Sequence, residues 1–377
     1  MTQLPTSIHK PYLPGMPQDG LGGDLAVPLE VLARRLGRAP DSLIRLDGDD
    51  NPYGPSLRVL EVLGSADSLH RPGDPEARDL RALLEPYACC ARDRITVGAG
   101  PAESLERLLR VLAQPGAVLL LPAPTRPLYA TVAARLGLTV VTVPPTRGLE
   151  LDIDGYLRRI AEHPVVVAVV PSPNDPTGST VAPTEIVRLL RTDIPVLVDE
   201  SDYEFAGRTV VPLVTEFDNL IVLRDFAAWA GLGGLPVSYL LSARPLAAQL
   251  RQAAVFGGVT TAPGRGAQLA AAAALGDLAA LQGQVRTLRQ ERGRLFRQLR
   301  KLNLLQPTPS EGHFLLCTVT RGQAAAIRDF LADQAGIIVR ALATPLLPNH
   351  LRISVGLPDH TDALMRGLLR LAEQHPL

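Results

Sequence analysis

The stretch IVLRDFAAWAGLGGLPVSY, residues 221–239, decides the fold of this chain. It continues an apolar run, residues 220–223, that has the length and composition of a buried parallel strand. A turn and a glycine-rich segment follow, and a second short apolar run closes the stretch. Similar buried runs at residues 118–121, 165–170 and 195–200 alternate with helical stretches. This alternation predicts an α/β fold built on a mostly parallel, doubly wound sheet.

Composition sets limits on the function. The chain has 377 residues, a hydrophobic fraction of 46% and a formal net charge of zero, which fits a globular protein of one or two domains. The chain has no excess of basic residues, so its charge does not suggest nucleic acid or a membrane surface as a partner. No apolar run reaches the length of about 18 residues that a membrane helix needs. Cys89, Cys90 and Cys317 show neither a metal spacing nor a disulfide framework, so we expect a cytoplasmic protein without a metal site.

The stretch at 221–239 resembles the cofactor-lysine segment of fold-type I pyridoxal phosphate (PLP) aminotransferases, in particular the histidinol-phosphate aminotransferase branch. That family's segment reads roughly T-L-S-K-x-F-G-L-A-G-L-R-x-G-Y. The lysine position holds Ala228, and the position of the phosphate-binding arginine holds Pro236. The resemblance therefore implies an aminotransferase fold in which the centre of the chemistry has changed.

Further motifs extend the resemblance to residues 27–370. IRLDGDDNPYGPS at 44–56 resembles L-x-x-N-E-N-P-Y-G-P-S, with Asn51 retained and Asp49 in place of the first asparagine. LRISVG at 351–356 resembles the strand whose arginine, here Arg352, clamps the substrate carboxylate. The family implies a large domain at 46–250, a smaller α+β domain at 251–377 joined by an N-terminal arm and helix at 1–45, and a two-fold homodimer.

Several family positions that contact PLP are altered. Arg126 stands where an aromatic side chain stacks on the pyridine ring, and Asp175 replaces the asparagine that bonds the O3′ atom. Asp202 replaces the tyrosine of the D-E-x-Y motif, whereas Asp199 matches the carboxylate that holds the pyridine nitrogen. Pro101, in the phosphate-binding turn, has no backbone N–H. Because a PLP transaminase needs a lysine amine for the internal aldimine and for proton transfer, the resemblance leads us to expect no PLP and no other cofactor.

The sequence favours the first of three functions, and the other two remain as alternatives. The first is an enzyme that uses the former cofactor pocket, without a cofactor, on an amino-acid-like or keto-acid-like molecule of specialised metabolism. The second is a non-catalytic ligand-binding or partner protein. The third is an active PLP-dependent aminotransferase with an atypical site, although Lys10 and Lys301 are the only lysines of the chain.

We expect three carboxylates, Asp175, Asp199 and Asp202, to converge as the catalytic group. Like charges in one cavity should raise the pKa of at least one of them unless a cation lies there. Alternatively, Asp202 faces solvent and Tyr203 takes the inward place. The ligand is expected to be a small carboxylate or amine, and its predicted binding residues are Arg352, Arg126, Asn51, His313 and Tyr203.

Overall fold

The structure is a computed structural model that describes residues 27–256 and 259–374. The predicted N-terminal arm at residues 1–25, with Lys10, lies outside the described residues. No helix in the described part of the chain is long and apolar enough to cross a membrane.

Seven strands form the main sheet, and all but one run parallel. Its spatial order is β2-β8-β7-β6-β5-β3-β4, and β8 is antiparallel to both of its neighbours. The central strands are buried along their whole length, as expected for a sheet covered by helices on both faces. The predicted doubly wound α/β sheet is confirmed. The strands are β2 Ile95–Gly98, β3 Val118–Pro122, β4 Thr139–Val143, β5 Val165–Pro171, β6 Val196–Asp199, β7 Leu220–Asp225 and β8 Ser238–Leu241, and they follow β1 Ile44–Arg45.

A smaller antiparallel sheet is formed by the C-terminal part of the chain. Its order is β11-β12-β15-β14, and the short parallel pair β1–β13 ties the start of the described chain to this half. The domain boundaries themselves stay a prediction. The remaining strands are β9 Val255–Phe256, β10 Val259–Thr260, β11 Leu305–Pro307, β12 Phe314–Val319, β13 Ile337–Ile338, β14 Arg340–Thr344 and β15 Leu347–Ser354.

The helices follow the amphipathic patterns of the sequence. In the longest helix, apolar residues recur every three or four positions, so one stripe of the helix is buried. A second helix begins with Pro101 at its first position, where the missing N–H has no intrahelical partner to lose. The helices are α1 Leu29–Leu36, α2 Leu57–Gly64, α3 Arg78–Ala88, α4 Pro101–Leu112, α5 Pro127–Arg135, α6 Ile153–Glu162, α7 Pro183–Leu190, α8 Tyr203–Ala206, α9 Ala227–Ala230, α10 Arg244–Ala253, α11 Arg265–Leu275, α12 Leu278–Leu299, α13 Ala324–Phe330 and α14 Pro358–Gln374.

The turn after β7 packs tightly against the segment that precedes α2. Gly231 has a φ of +68°, and a Cβ atom at this position would lie 2.4 Å from the carbonyl carbon of Gly54. The Asn51 side chain donates a hydrogen bond of 3.2 Å to the backbone carbonyl of Trp229. This close approach fixes the N-terminal segment beside the carboxyl ends of the strands, where ligands bind in open α/β sheets.

Candidate functional site

Polar side chains gather where the central strands of the main sheet end. Asp199 and Asp225 are the last residues of β6 and β7, and Asp175 lies in the turn after β5. Asp202 follows β6, and Arg126 precedes α5 in the connection from β3. Because these strands are parallel, their carboxyl ends meet at one edge, and the side chains form one charged cluster there.

Arg352 of β15 is the best-anchored group of this cluster. Its side chain is fully buried, and its Nε and Nη2 atoms lie 3.2 and 3.1 Å from the two carboxylate oxygens of Asp175. Its Nη1 atom donates to the Ser354 hydroxyl at 2.8 Å and to the carbonyl of Gly48 at 3.2 Å, and its guanidinium stacks 4.3 Å from the Phe314 ring centre. The arginine is thus fixed in place, and it joins the small sheet to the edge of the large one.

Asp49, in the loop between β1 and α2, receives three cationic groups. Arg352 Nη2 lies 2.7 Å from its carboxylate, His313 Nε2 lies 3.1 Å away and Arg126 Nη2 lies 3.4 Å away. Burial opposes the ionised form, but Arg126 and Arg352 hold the pKa of Asp49 well below its usual value. The side chain nevertheless remains 43% exposed.

His313 lies between two carboxylates. Its Nδ1 atom is 2.6 Å from Asp202, and its Nε2 atom faces Asp49. Burial favours the neutral imidazole, but the Asp202 carboxylate and the hydrogen bonds outweigh burial and raise the pKa of His313 to about 9. The histidine is therefore a cation at neutral pH, and Asp202 is buried rather than facing solvent.

Arg126 is the most loosely held of the three cations. It approaches Asp49 at 3.4 Å and Asp175 at 3.5 Å, and it forms no hydrogen bond to any described residue. Burial lowers the pKa of its guanidinium, but Asp49, Asp175, Asp199 and Asp202 together raise it well above the ordinary value. One arginine therefore lies within electrostatic reach of all three carboxylates predicted to converge.

Each of the three predicted carboxylates has its own partner. Arg352 and Arg126 lower the pKa of Asp175 against the effect of burial, so the expected upward shift is absent there. Asp199 accepts hydrogen bonds of 2.6 Å from the Tyr129 hydroxyl and from the Ser201 hydroxyl. Asp202 bonds His313, as described above. Arg126, which the sequence already offered as a candidate cation, lies at this cluster together with Arg352 and His313.

Asp225 is a carboxylate of this cluster that sequence reasoning missed. It is buried, it accepts a 2.8 Å hydrogen bond from the backbone N–H of Ala227, and it lies one turn before Ala228. Burial raises the pKa of Asp225 to about 6 despite that bond and the charge of Arg126. Its position at the end of a strand adjacent to β6 was a usable signal, since Asp199 ends that neighbouring strand.

Two predicted binding residues serve other contacts in the structure. Tyr203 packs against Arg224, whose guanidinium carbon lies 3.6 Å from the ring centre, and not against the carboxylate cluster. The Asn51 carbonyl oxygen accepts the backbone N–H of Tyr53, and its amide group holds the backbone of Trp229. Both residues thus have structural partners, and the roles of all the predicted site residues remain proposals.

The turn between β2 and α4 is occupied by the protein's own side chains. Glu103 accepts hydrogen bonds from the Ala99 backbone N–H at 3.1 Å and from Arg107 at 3.2 Å. Burial raises the pKa of Glu103 despite the charge of Arg107. A Cβ atom added at Gly100 would lie 3.0 Å from the Cβ of Pro236, so the proline packs directly against this turn.

Comparisons with known proteins place this geometry in context. The profile of the family "Aminotransferase class I and II" matches residues 42–370. The chain is 38% identical to the histidinol-phosphate aminotransferase of Roseiflexus castenholzii over 92% of this chain and 94% of the relative. It is 36% identical to the chloroplastic histidinol-phosphate aminotransferase of Nicotiana plumbaginifolia over 91% of this chain and 82% of the relative.

A solved structure shows the same fold. Histidinol-phosphate aminotransferase from Sinorhizobium meliloti, in complex with pyridoxal-5'-phosphate, superposes with a TM-score of 0.84. The match covers 92% of this chain and 95% of that chain at 24% identity. The predicted fold class is therefore confirmed by an experimental structure as well as by the family profile.

These similarities overturn three expectations from the sequence. The prediction of a repurposed, cofactor-independent enzyme is wrong, because the relatives that match nearly the whole chain are named as histidinol-phosphate aminotransferases. The related description as a pseudo-aminotransferase is wrong for the same reason. The prediction that the chain has no cofactor is contradicted too, since the family and the relatives that match nearly the whole chain are aminotransferases.

The described residues do not fit PLP held as a lysine Schiff base. Ala228 carries a methyl group, Pro236 offers no charge, and the Ala99 N–H already binds Glu103. Lys301, the one lysine among the described residues, is exposed at the end of α12. Asp199 remains a buried carboxylate at the sheet edge, held by Tyr129 and Ser201. No step through the cofactor follows from these side chains.

Proposed function

The chain belongs to the aminotransferase class I and II family, and from that premise we propose that it is a PLP-dependent enzyme of the histidinol-phosphate aminotransferase type with an atypical site. Position 228 corresponds in this proposal to the cofactor lysine, so PLP is bound without a covalent link at that position. When bound, PLP supplies the electron sink for amino-group transfer. The protein's own residues bind and orient the substrate.

One observation carries the substrate assignment. Arg340 and Arg352 are directly opposite each other on the antiparallel strands β14 and β15, and like charges in such a pair repel. Arg352 is neutralised by Asp175 and Asp49, whereas the Arg340 side chain forms no hydrogen bond or ion pair with the described residues. Burial, followed by the charge of Arg352, lowers the pKa of the Arg340 guanidinium. An anionic group of the substrate would relieve this repulsion.

The proposed substrate is therefore an amine that also carries an oxyanion, such as histidinol phosphate. Guanidinium groups bind phosphate and carboxylate through paired hydrogen bonds, and each charge-assisted bond contributes about 1.5–3 kcal/mol. Arg340 would hold the anion, and Arg352 would align it with the sheet edge. The carboxylates at that edge, Asp175, Asp199 and Asp202, would face the amino group, and His313 would join the arginines that face the anion.

The test is an amino-transfer assay with added PLP and a 2-oxo acid acceptor. Histidinol phosphate should be converted, and histidinol, which lacks the phosphate, should be a far poorer substrate. The R340Q variant should lower kcat/KM for histidinol phosphate about tenfold or more and leave the melting temperature nearly unchanged, since Arg340 has no internal partner. Equal rates for both substrates, or no PLP-dependent activity with either, would contradict the proposal.

We also propose a two-fold homodimer, as expected from the family resemblance. Apolar side chains near the start of the main domain are exposed in the single chain, with Leu57 at 77%, Leu60 at 53% and Leu69 at 52%. A subunit interface would bury such a group. Sedimentation at micromolar concentration should give a dimer, and a monomer under those conditions would refute this assembly.

A further inference from the structure

Asp49 differs from the other carboxylates of the cluster in its position. It is on a loop, it is 43% exposed, and Arg126, His313 and Arg352 all point at it. Asp175, by comparison, is only 6% exposed and is fixed by both carboxylate oxygens to Arg352. A half-exposed carboxylate surrounded by three cations occupies the kind of place that an anionic ligand would take.

Two of the three cations do not depend on Asp49 for their position. Arg352 is held by Asp175, by the Ser354 hydroxyl and by the Gly48 carbonyl. His313 is held through its other ring nitrogen by Asp202. If the Asp49 carboxylate moved away, both groups would keep their orientation, and their free N–H donors would still point at the same place. The site is therefore built independently of the residue that fills it.

We propose that Asp49 is a built-in occupant of an oxyanion subsite formed by Arg126, His313 and Arg352, and that the carboxylate or phosphate group of a ligand displaces it. This inference deepens the proposed function and rests on it, since the oxyanion is that of the substrate. Arg340, which faces Arg352 on the neighbouring strand and also interacts electrostatically with Asp49, lies beside the same subsite. Arg126 is the cation free to follow the exchange, because it has no hydrogen bond to any described residue. Asp49 is then a specificity-determining residue, because only a ligand that binds the three cations better than a tethered carboxylate can enter.

A tethered carboxylate competes with a free one as an intramolecular ligand, with an effective concentration of about millimolar or higher. Removing its charge should therefore increase the affinity for free oxyanions, which is the opposite of what most substitutions in a binding site do. The predicted gain distinguishes an internal competitor from a residue that merely stabilises the loop. It also requires no catalytic turnover.

The experiment measures binding of inorganic phosphate and of acetate to the full chain by calorimetry, at constant ionic strength set with chloride. The D49N variant should bind at least one of these anions about tenfold more tightly than the wild type. The size of the gain for each anion shows whether the subsite prefers a phosphate or a carboxylate. The D49E variant, which keeps the charge, should show no such gain.

The matched control is D50N. Asp50 is the exposed next residue of the same loop, so this variant removes the same charge without touching the three cations. Its affinity should stay within about twofold of the wild type. An equal gain of affinity in D50N and D49N would show that the effect comes from net charge alone. No gain of affinity in D49N would show that Asp49 does not compete with free anions. Either result overturns the inference.

A second variant tests the cations. In the D49N background, R126Q should lose about tenfold or more of the gained affinity, and retention of the full gain would exclude Arg126 from the subsite. These affinities are independent of catalysis. Absence of amino transfer in the wild type would therefore refute the proposed function. The binding measurements would still test whether Asp49 occupies an oxyanion subsite.

Discussion

The Nδ1 atom of His313 lies 2.6 Å from the Asp202 carboxylate, and 111 residues of chain separate the two. Asp202 follows β6 of the main sheet, and His313 immediately precedes β12 of the small sheet. Their bond therefore joins the two sheets at the candidate site, and its strength depends on the charge of the imidazole.

His313 should make stability depend on pH. Its pKa is raised from 6.5 in the unfolded chain to about 9 in the folded chain, so its contribution is complete below pH 6.5 and is lost as pH rises through 9. Replacing it with the neutral H313Q should remove this dependence. The difference in melting temperature between wild type and H313Q should shrink from pH 6 to pH 9.5; a constant difference would contradict the assigned charge.

Glu204 should also make the stability of the protein depend on pH. Burial raises its pKa from 4.5 to about 8, although Arg224 and the hydrogen bond from Tyr87 lower it. Below pH 4.5, Glu204 is neutral in both the folded and the unfolded chain, and its contribution to stability is complete. As pH rises towards 8, Glu204 ionises first in the unfolded chain, so the folded chain loses stability relative to the unfolded chain. The E204Q variant should therefore gain stability relative to wild type between pH 5 and pH 8.5. E216Q, an exposed substitution nearby, serves as the control and should show no trend.

The buried pair of Arg224 and Glu200 should be costly to break from one side. Arg224 Nη2 lies 2.8 Å from the Glu200 carboxylate, and both side chains are 2% exposed. R224M or E200Q alone leaves one buried group without its partner, which costs about 3–5 kcal/mol. The double variant should lose less than the sum of the two single variants. Urea unfolding gives the three free energies, and strict additivity would show that the two residues do not interact.

Ala228 is the position at which a lysine can be restored. The A228K variant should form an adduct with PLP that borohydride traps, whereas the wild type should bind PLP without a trapped product. The control A227K adds the same amine one residue away, where the altered direction of the side chain should prevent the adduct. Absorbance titration and mass spectrometry provide the measurements. Trapping at the same level in the wild type, or PLP binding by none of the three proteins, would contradict the proposed atypical site.

The sequence was sufficient for the architecture. Buried runs between helical stretches predicted the parallel sheet, because a strand covered on both faces must be apolar along its length and this is visible without a structure. The spaced motifs at residues 44–56, 221–239 and 351–356 also carried the family resemblance and singled out Arg352. Such patterns depend on local order along the chain, so one sequence can reveal them.

Predictions from single motifs were wrong or incomplete where the function depended on the similarity of the whole chain, or where a side chain contacts residues distant in sequence. Altered positions such as Ala228 and Pro236 suggested a lost cofactor, while similarity over more than nine-tenths of the chain to histidinol-phosphate aminotransferases contradicts that prediction. Tyr203 was a predicted binding residue because it follows Asp202, which occupies the tyrosine position of the D-E-x-Y motif, but its ring packs on Arg224. A motif predicts where a residue lies along the chain, but it does not predict the direction of the side chain.

By itself, the sequence determined the α/β class, the alternation of strands and helices along the chain, and several of the charged residues that lie at the carboxyl ends of the strands. Only the tertiary structure decided which charges meet there. Asp49, Asp202 and Asp175 are paired with His313 and Arg352, which come from the other end of the chain. Hydrophobic periodicity is a property of residues that are close in sequence, so it can be read from the sequence. The energy of a buried charge depends instead on its distance in space from a counter-charge, and that distance is known only from the tertiary structure.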